Sequence, residues 1–140
     1  GLGIAAATAI AAALGYAWIH RRPPTPSRLD TALAELDALA RANIPTPEIA
    51  RSASAIVRTT LADRLDPRFR TCAAGAESEI LLKSIPALPP DDRLAIATFL
   101  ADAERLACAP ITSTPEAARL VDAARACVRI PERTSTGGAP

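Results

Sequence analysis

The chain has 140 residues, of which 49% are hydrophobic and 3% aromatic, and its formal net charge at pH 7 is +1. This length predicts one domain with a short appendage. The balanced charge and the shortage of aromatic rings argue against a nucleic-acid-binding protein, which needs a basic surface or rings on which bases can stack. Because the chain contains no methionine, we expect Gly1 to follow a longer or processed N-terminus.

The first feature is an uncharged run over residues 1–19. At 1.5 Å per helical residue it is long enough to cross a hydrocarbon core of about 30 Å, which predicts a transmembrane helix. Aromatic rings favour the headgroup level, and positive charge after the run marks the cytoplasmic side. We therefore predict that five residues lie at the membrane interface: Tyr16, Trp18, His20, Arg21 and Arg22.

Two other interpretations of this run remain open. A secretory signal peptide carries its positive charge before the apolar run and a cleavage site after it, whereas here the charge follows. The run could also form a buried helix of a soluble protein. Within a membrane, small residues four apart would let a second helix pack closely, and this stripe consists of Gly3, Ala7, Ala11 and Gly15.

The remaining sequence predicts helices. Residues 20–28 are a basic, proline-rich connector, and residues 29–130 form the folded domain. Apolar positions at helical spacing predict helices over residues 26–42, from Thr46 to before Asp66, over 73–84, over 91–108 and from Thr114 onward. No segment alternates as a strand does. We predict an all-α bundle of about five helices, followed by a disordered tail over residues 131–140.

Local signals support these boundaries. Thr25, Thr46 and Thr114 each precede proline, and threonine is favoured as an N-cap while proline suits the first helical position. The predicted apolar faces include Leu36 and Ala40 in the first helix, and several residues in later helices: Val57, Leu61, Ile80, Leu81, Ile96, Phe99, Leu100, Leu120, Val121 and Val128.

Catalytic and metal-binding motifs are missing from the sequence. The single histidine is His20, and the spacing of Cys72, Cys108 and Cys127 matches no zinc or redox motif. We expect these cysteines to be small buried hydrophobic residues, with an internal disulfide possible only in an oxidising compartment. No phosphate-binding loop is present. We therefore expect neither an enzyme nor a cofactor.

The clustered charges are arginines around the segment DRLDPRFR. Arg64, Arg68 and Arg70 could bind an acidic protein partner, a phosphate or lipid headgroups. The alternative is a solvated surface in a chain that uses arginine as its usual cation.

Several stretches together resemble a known family. They are IARSASAIVRTTLADRLDPRF, AESEILLKSI and LAIATFLADAERLACAP, which follow the predicted membrane helix with its basic end. The chain resembles the single-pass bacterial proteins encoded beside MoxR-type AAA ATPases and Bat-type von Willebrand factor A proteins. The family positions fall on Arg58, Leu61, Phe69, Thr71, Glu77, Glu79, Leu81, Phe99, Leu100, Asp102 and Ala107.

The resemblance implies a bacterial inner-membrane protein with a cytoplasmic helical domain. Its implied role is that of a non-enzymatic accessory subunit of a MoxR ATPase and von Willebrand factor A membrane system. The alternative is an exported helical protein that binds a small molecule or lipid, with residues 1–19 cleaved as a signal peptide.

Overall fold

The computed structural model describes residues 27–108 and 114–137, and these form helices without a β-strand. The prediction of an all-α bundle is confirmed. Five α-helices and one short 3-10 helix follow in chain order: α1 Arg28–Arg41, α2 Thr46–Arg64, the 3-10 helix Pro67–Arg70, α3 Ala76–Lys83, α4 Pro90–Cys108 and α5 Thr114–Gly137.

The starts of α1 and α2 differ from the threonine–proline pattern. Helix α1 starts after Ser27, whose side chain accepts from the backbone N–H of Asp30 while the Asp30 carboxylate accepts from the backbone N–H of Ser27. This reciprocal capping box satisfies two backbone donors. In α2, Pro45 and not Thr46 occupies the N-cap position, and Thr46 is the first helical residue.

Helix α2 is the centre of the bundle. It packs against α1, α4, α5 and the 3-10 helix, whereas α3 packs against α4 and the 3-10 helix. Alanines and branched residues line its inner side, and Ala50, Ala53, Val57 and Leu61 are completely buried. The two alanines among them leave room for neighbouring helices to lie close to α2.

Most predicted core positions are buried, with two exceptions. Leu36, Ile96, Phe99 and Val128 are all in the core. Ala40 is exposed, because the inner side of α1 is formed by Ala32, Leu36 and Leu39. Ile80 is 71% exposed, and the short helix α3 instead buries Leu81 and Leu82.

Helix α5 extends beyond the predicted end of the folded domain. We predicted a disordered tail from residue 131, but the helix continues to Gly137 with Pro131 inside it. Tertiary contacts hold this extension: Pro131 is buried, Glu132 pairs with Arg64 of α2 at 2.9 Å, and Arg133 pairs with Asp92 of α4 at 3.1 Å.

None of the described helices is long and apolar enough to cross a membrane. The predicted span over residues 1–19 and most of the predicted connector lie outside the described residues. Both therefore stay predictions.

Candidate functional site

The three arginines of the predicted partner site do not share one surface feature. Arg64 pairs with Glu132 at 2.9 Å, and Arg70 pairs with Asp63 at 2.7 Å. Arg68 pairs with Asp66 at 2.8 Å and donates to Ser84 Oγ at 3.4 Å. Each of them therefore already has a carboxylate partner within the chain.

The Asp66–Arg68 pair belongs to the start of the 3-10 helix. The Asp66 carboxylate accepts from the Arg68 side chain and from the Arg68 backbone N–H at 2.9 Å. Side-chain hydrogen bonding by Arg68, followed by that backbone hydrogen bond, lowers the pKa of Asp66. The same side-chain hydrogen bond raises the pKa of Arg68. This arrangement is a cap, which accounts for Arg68 without an external ligand.

A groove lies instead between α2 and α4. Its volume is about 460 Å³. We call it the arginine groove, because its charged lining consists of Arg51 and Arg58 of α2, Arg70 of the 3-10 helix and one acid, Glu104 of α4. Small residues complete it: Ala50, Ser54, Ala55, Thr59, Ala103 and Ala107, with Leu100 at the base. Arg70 is already paired with Asp63, so Arg51 and Arg58 against the single carboxylate of Glu104 give this concave surface its positive balance.

Arg58 connects α2 to the chain that follows it. Its Nη1 donates to the carbonyl of Phe69 at 3.1 Å and to the carbonyl of Cys72, and its Nε donates to Ser54 Oγ at 3.1 Å. These contacts tie the end of the 3-10 helix to α2. The remaining nitrogen, Nη2, takes part in none of these bonds.

Arg51 makes the corresponding link to α4. Its Nη2 donates to the carbonyl of Ala107 at 3.1 Å, in the last turn of α4. A cation at the C-terminus of a helix is favoured both by the unpaired carbonyls there and by the helix dipole. Neither Arg51 nor Arg58 forms a salt bridge with another described residue.

Arg70 is therefore the one residue of the predicted partner site that lines the groove. The predicted site did not include Arg51 and Arg58. Their spacing was a usable signal, since residues at i, i+4 and i+7 share one helix face. Arg51, Ala55 and Arg58 follow this spacing. The sequence does not show that α4 and the 3-10 helix form the other sides of the groove.

The cysteines lie in two environments. Cys72 and Cys127 are buried, as predicted, but Cys108 is exposed at the end of α4, and all three are free. Burial, with a smaller contribution from Asp92, raises the pKa of the Cys127 thiol to about 12. Cys127 is therefore a neutral core side chain near pH 7.

The predicted interface residues, Tyr16 to Arg22, and the predicted helix-packing stripe, Gly3 to Gly15, lie outside the described residues. In the part of the chain that the structure describes, no three His, Cys, Asp or Glu side chains lie together in a way that could hold a metal ion. The chain matches no protein-family model, no curated protein and no solved structure.

Proposed function

We propose that this protein is a non-enzymatic, membrane-anchored interaction and assembly module. The observation that carries the proposal is the arginine groove, a concave surface with two guanidiniums that no carboxylate of the described residues neutralises. A positive surface of this kind favours the encounter with an acidic partner.

The proposed anchor is the uncharged run over residues 1–19, with Tyr16, Trp18, His20, Arg21 and Arg22 at its border. Positive charge after the run favours a cytoplasmic location for the bundle, at the bacterial inner membrane. The family resemblance supplies the proposed partners, a MoxR-type ATPase and von Willebrand factor A membrane proteins.

Co-purification tests this function. The tagged full chain is extracted from native membranes in mild detergent, and the expected result is recovery of an ATPase or von Willebrand factor A protein with it. A chain lacking residues 1–19 is the matched control, and it should leave the membrane fraction. Recovery of a monodisperse protein without either partner would contradict the proposal.

Intact mass of the native protein distinguishes the anchor from the alternative. The anchored module retains residues 1–19, whereas a mature start between Trp18 and Arg22 indicates a cleaved signal peptide and an exported protein. A reporter fused after Pro140 then tests the side of the membrane, with a cytoplasmic signal expected.

A further inference from the structure

We propose that the arginine groove binds the acidic face of a helix from a protein partner, with carboxylates about two turns apart. This inference rests on the proposed interaction function and names the chemistry of the partner. The contacts of Arg51 and Arg58, the small residues of the groove and the position of Glu104 carry it.

Arg51 and Arg58 have no carboxylate partner among the described residues. Arg64 and Arg68 are each neutralised by a carboxylate of the same chain. Among the described residues, Arg51 and Arg58 donate to neutral groups: the Ala107 carbonyl for Arg51, and the Ser54 hydroxyl, the carbonyls of Phe69 and Cys72 and the Cys72 sulfur for Arg58. Each keeps at least one guanidinium nitrogen without a partner among the described residues, and such a nitrogen can bind a carboxylate.

Those existing bonds also hold the two side chains in place. Arg58 is half-buried and bonded at two of its nitrogens, and Arg51 is bonded to the end of α4. A guanidinium that is already positioned loses less conformational freedom when a ligand binds. Arg51 and Arg58 are therefore preorganised donors.

The spacing selects a helical ligand. Arg51 and Arg58 lie seven residues apart on α2, which corresponds to ~10.5 Å along a helix axis. A partner helix lying along α2 would place carboxylates at i and i+7 opposite these two arginines. Ala55 lies between them, and the buried floor consists of Ala50, Leu100 and Ala103, so that a small side chain separates the two arginines and a partner backbone can come close there.

Glu104 argues against phosphate as the ligand. It lines the same groove from α4, and its carboxylate repels a dianion more strongly than a single carboxylate. A helix can turn an acidic side chain toward α2 and a basic or neutral one toward Glu104. An anionic lipid surface is broad and flat, whereas this site is concave.

The test uses two fluorescent alanine-rich peptides of about 15 residues, a length at which such helices begin to form in water. One carries glutamates at positions i and i+7, and the other carries glutamines there. Each is titrated with the full chain in mild detergent, and binding is measured by fluorescence anisotropy. We expect saturable binding of the glutamate peptide alone.

Four variants locate the binding. Arg51→Gln should weaken it by about three- to fivefold and Glu104→Gln should strengthen it by about two- to threefold, as expected for charge pairs at a surface. Ala55→Glu introduces a carboxylate between the arginines and should weaken binding by about tenfold or more. Arg129→Gln removes an exposed cation of α5 and should leave binding unchanged.

Several results would overturn the inference. The first is equal binding of the two peptides, and the second is no binding up to about 1 mM, which is already weak for a specific site. The third is an equal effect of Arg51→Gln and Arg129→Gln. Glu104→Gln guards against misfolding as an explanation, because a purely structural disturbance would not tighten binding. Displacement of the peptide by inorganic phosphate would point to a phosphate site, and displacement by phosphatidylglycerol vesicles to a lipid surface.

Co-purification of the full chain and of the Ala55→Glu variant distinguishes an error in the groove inference from an error in the proposed interaction function. If the full chain recovers a partner from membranes and Ala55→Glu recovers as much, the partner binds elsewhere and only the groove inference is wrong. If the full chain recovers no partner, the proposed function itself is contradicted.

Discussion

The Arg58 side chain links α2 to the backbone of the segment that follows it. Its hydrogen bonds satisfy the carbonyls of Phe69 and Cys72, both of which follow the end of α2 in sequence. The ring of Phe69 is fully buried, so that Arg58 holds the backbone of a core residue. Bonds from a charged donor to such carbonyls are among the stronger hydrogen bonds in proteins.

We expect Arg58→Met to lower the free energy of unfolding by about 2–4 kcal/mol, because it leaves these carbonyls without their donor. Urea unfolding followed by circular dichroism measures the change. Arg129→Met, at an exposed position of α5, is the matched control and should change stability by less than about 0.5 kcal/mol. Equal stabilities of the two variants would show that the Arg58 contacts are dispensable.

The Cys127 thiol gives the protein a predictable response to alkaline pH. Its pKa in the folded chain is about 12, raised by burial, while an unfolded cysteine titrates near 8.5. Between these values the unfolded chain has lost a proton that the folded chain keeps. Stability therefore falls as pH rises through this window.

The expected slope from this residue is about −1.4 kcal/mol per pH unit above roughly pH 9. Unfolding curves of the wild type and of Cys127→Ala, measured between pH 8 and 11, isolate the contribution. The variant should be less stable near pH 8, since it leaves a cavity, but its stability should fall less steeply with pH. Parallel curves would show that the thiol ionises similarly in both states.

Helix α3 depends on the conformation of the glycine before it. Gly75 occupies the N-cap position with φ of 95° and ψ of −131°, and it has the only positive φ among the described residues. A β-carbon added there would meet no atom within 4 Å. A larger residue at position 75 is therefore disfavoured by the backbone conformation and not by crowding from neighbouring atoms.

We expect Gly75→Ala to lower the free energy of unfolding by about 1–3 kcal/mol, the usual range for a side chain in this region of φ and ψ. Chemical denaturation measures the loss. Ala73→Ser, at an exposed position two residues earlier, should stay within about 0.5 kcal/mol of the wild type. A Gly75→Ala variant as stable as this control would mean that the loop relaxes to negative φ at little cost.

At the scale of the whole molecule, α2 organises the bundle. It contacts α1, α4, α5 and the 3-10 helix, and Ala53 on its inner side is fully buried. These four elements therefore pack around α2 at positions that depend on the small size of its buried alanines.

We expect Ala53→Leu to lower the free energy of unfolding by about 1–3 kcal/mol, since the larger side chain must push packed helices apart. Ala55→Leu lies two residues later on the same helix and is exposed, so it should have an effect within about 0.5 kcal/mol. Thermal and urea unfolding of the pair give the comparison. Similar stabilities would indicate that the bundle can expand around α2.

Local sequence patterns predict the class of the fold and the order of its helices. Apolar spacing, prolines and acidic first turns act within a few residues, so they predict the five helices close to their observed bounds, apart from the C-terminal end of α5. Local patterns also identified most of the core, including Val57, Leu61 and Phe99. The prediction of a membrane segment over residues 1–19 rests on the sequence alone.

The pairing of arginines with acids and the location of the groove follow from how the helices pack in three dimensions. Arg64 meets Glu132 and Arg70 meets Asp63 because separate helices pack together, and no local pattern specifies that packing. The same holds for the exposure of Ile80 and the continuation of α5 beyond residue 130. Arg51 and Arg58 share a stripe in the sequence, but they line a groove because α4 and the 3-10 helix lie beside them.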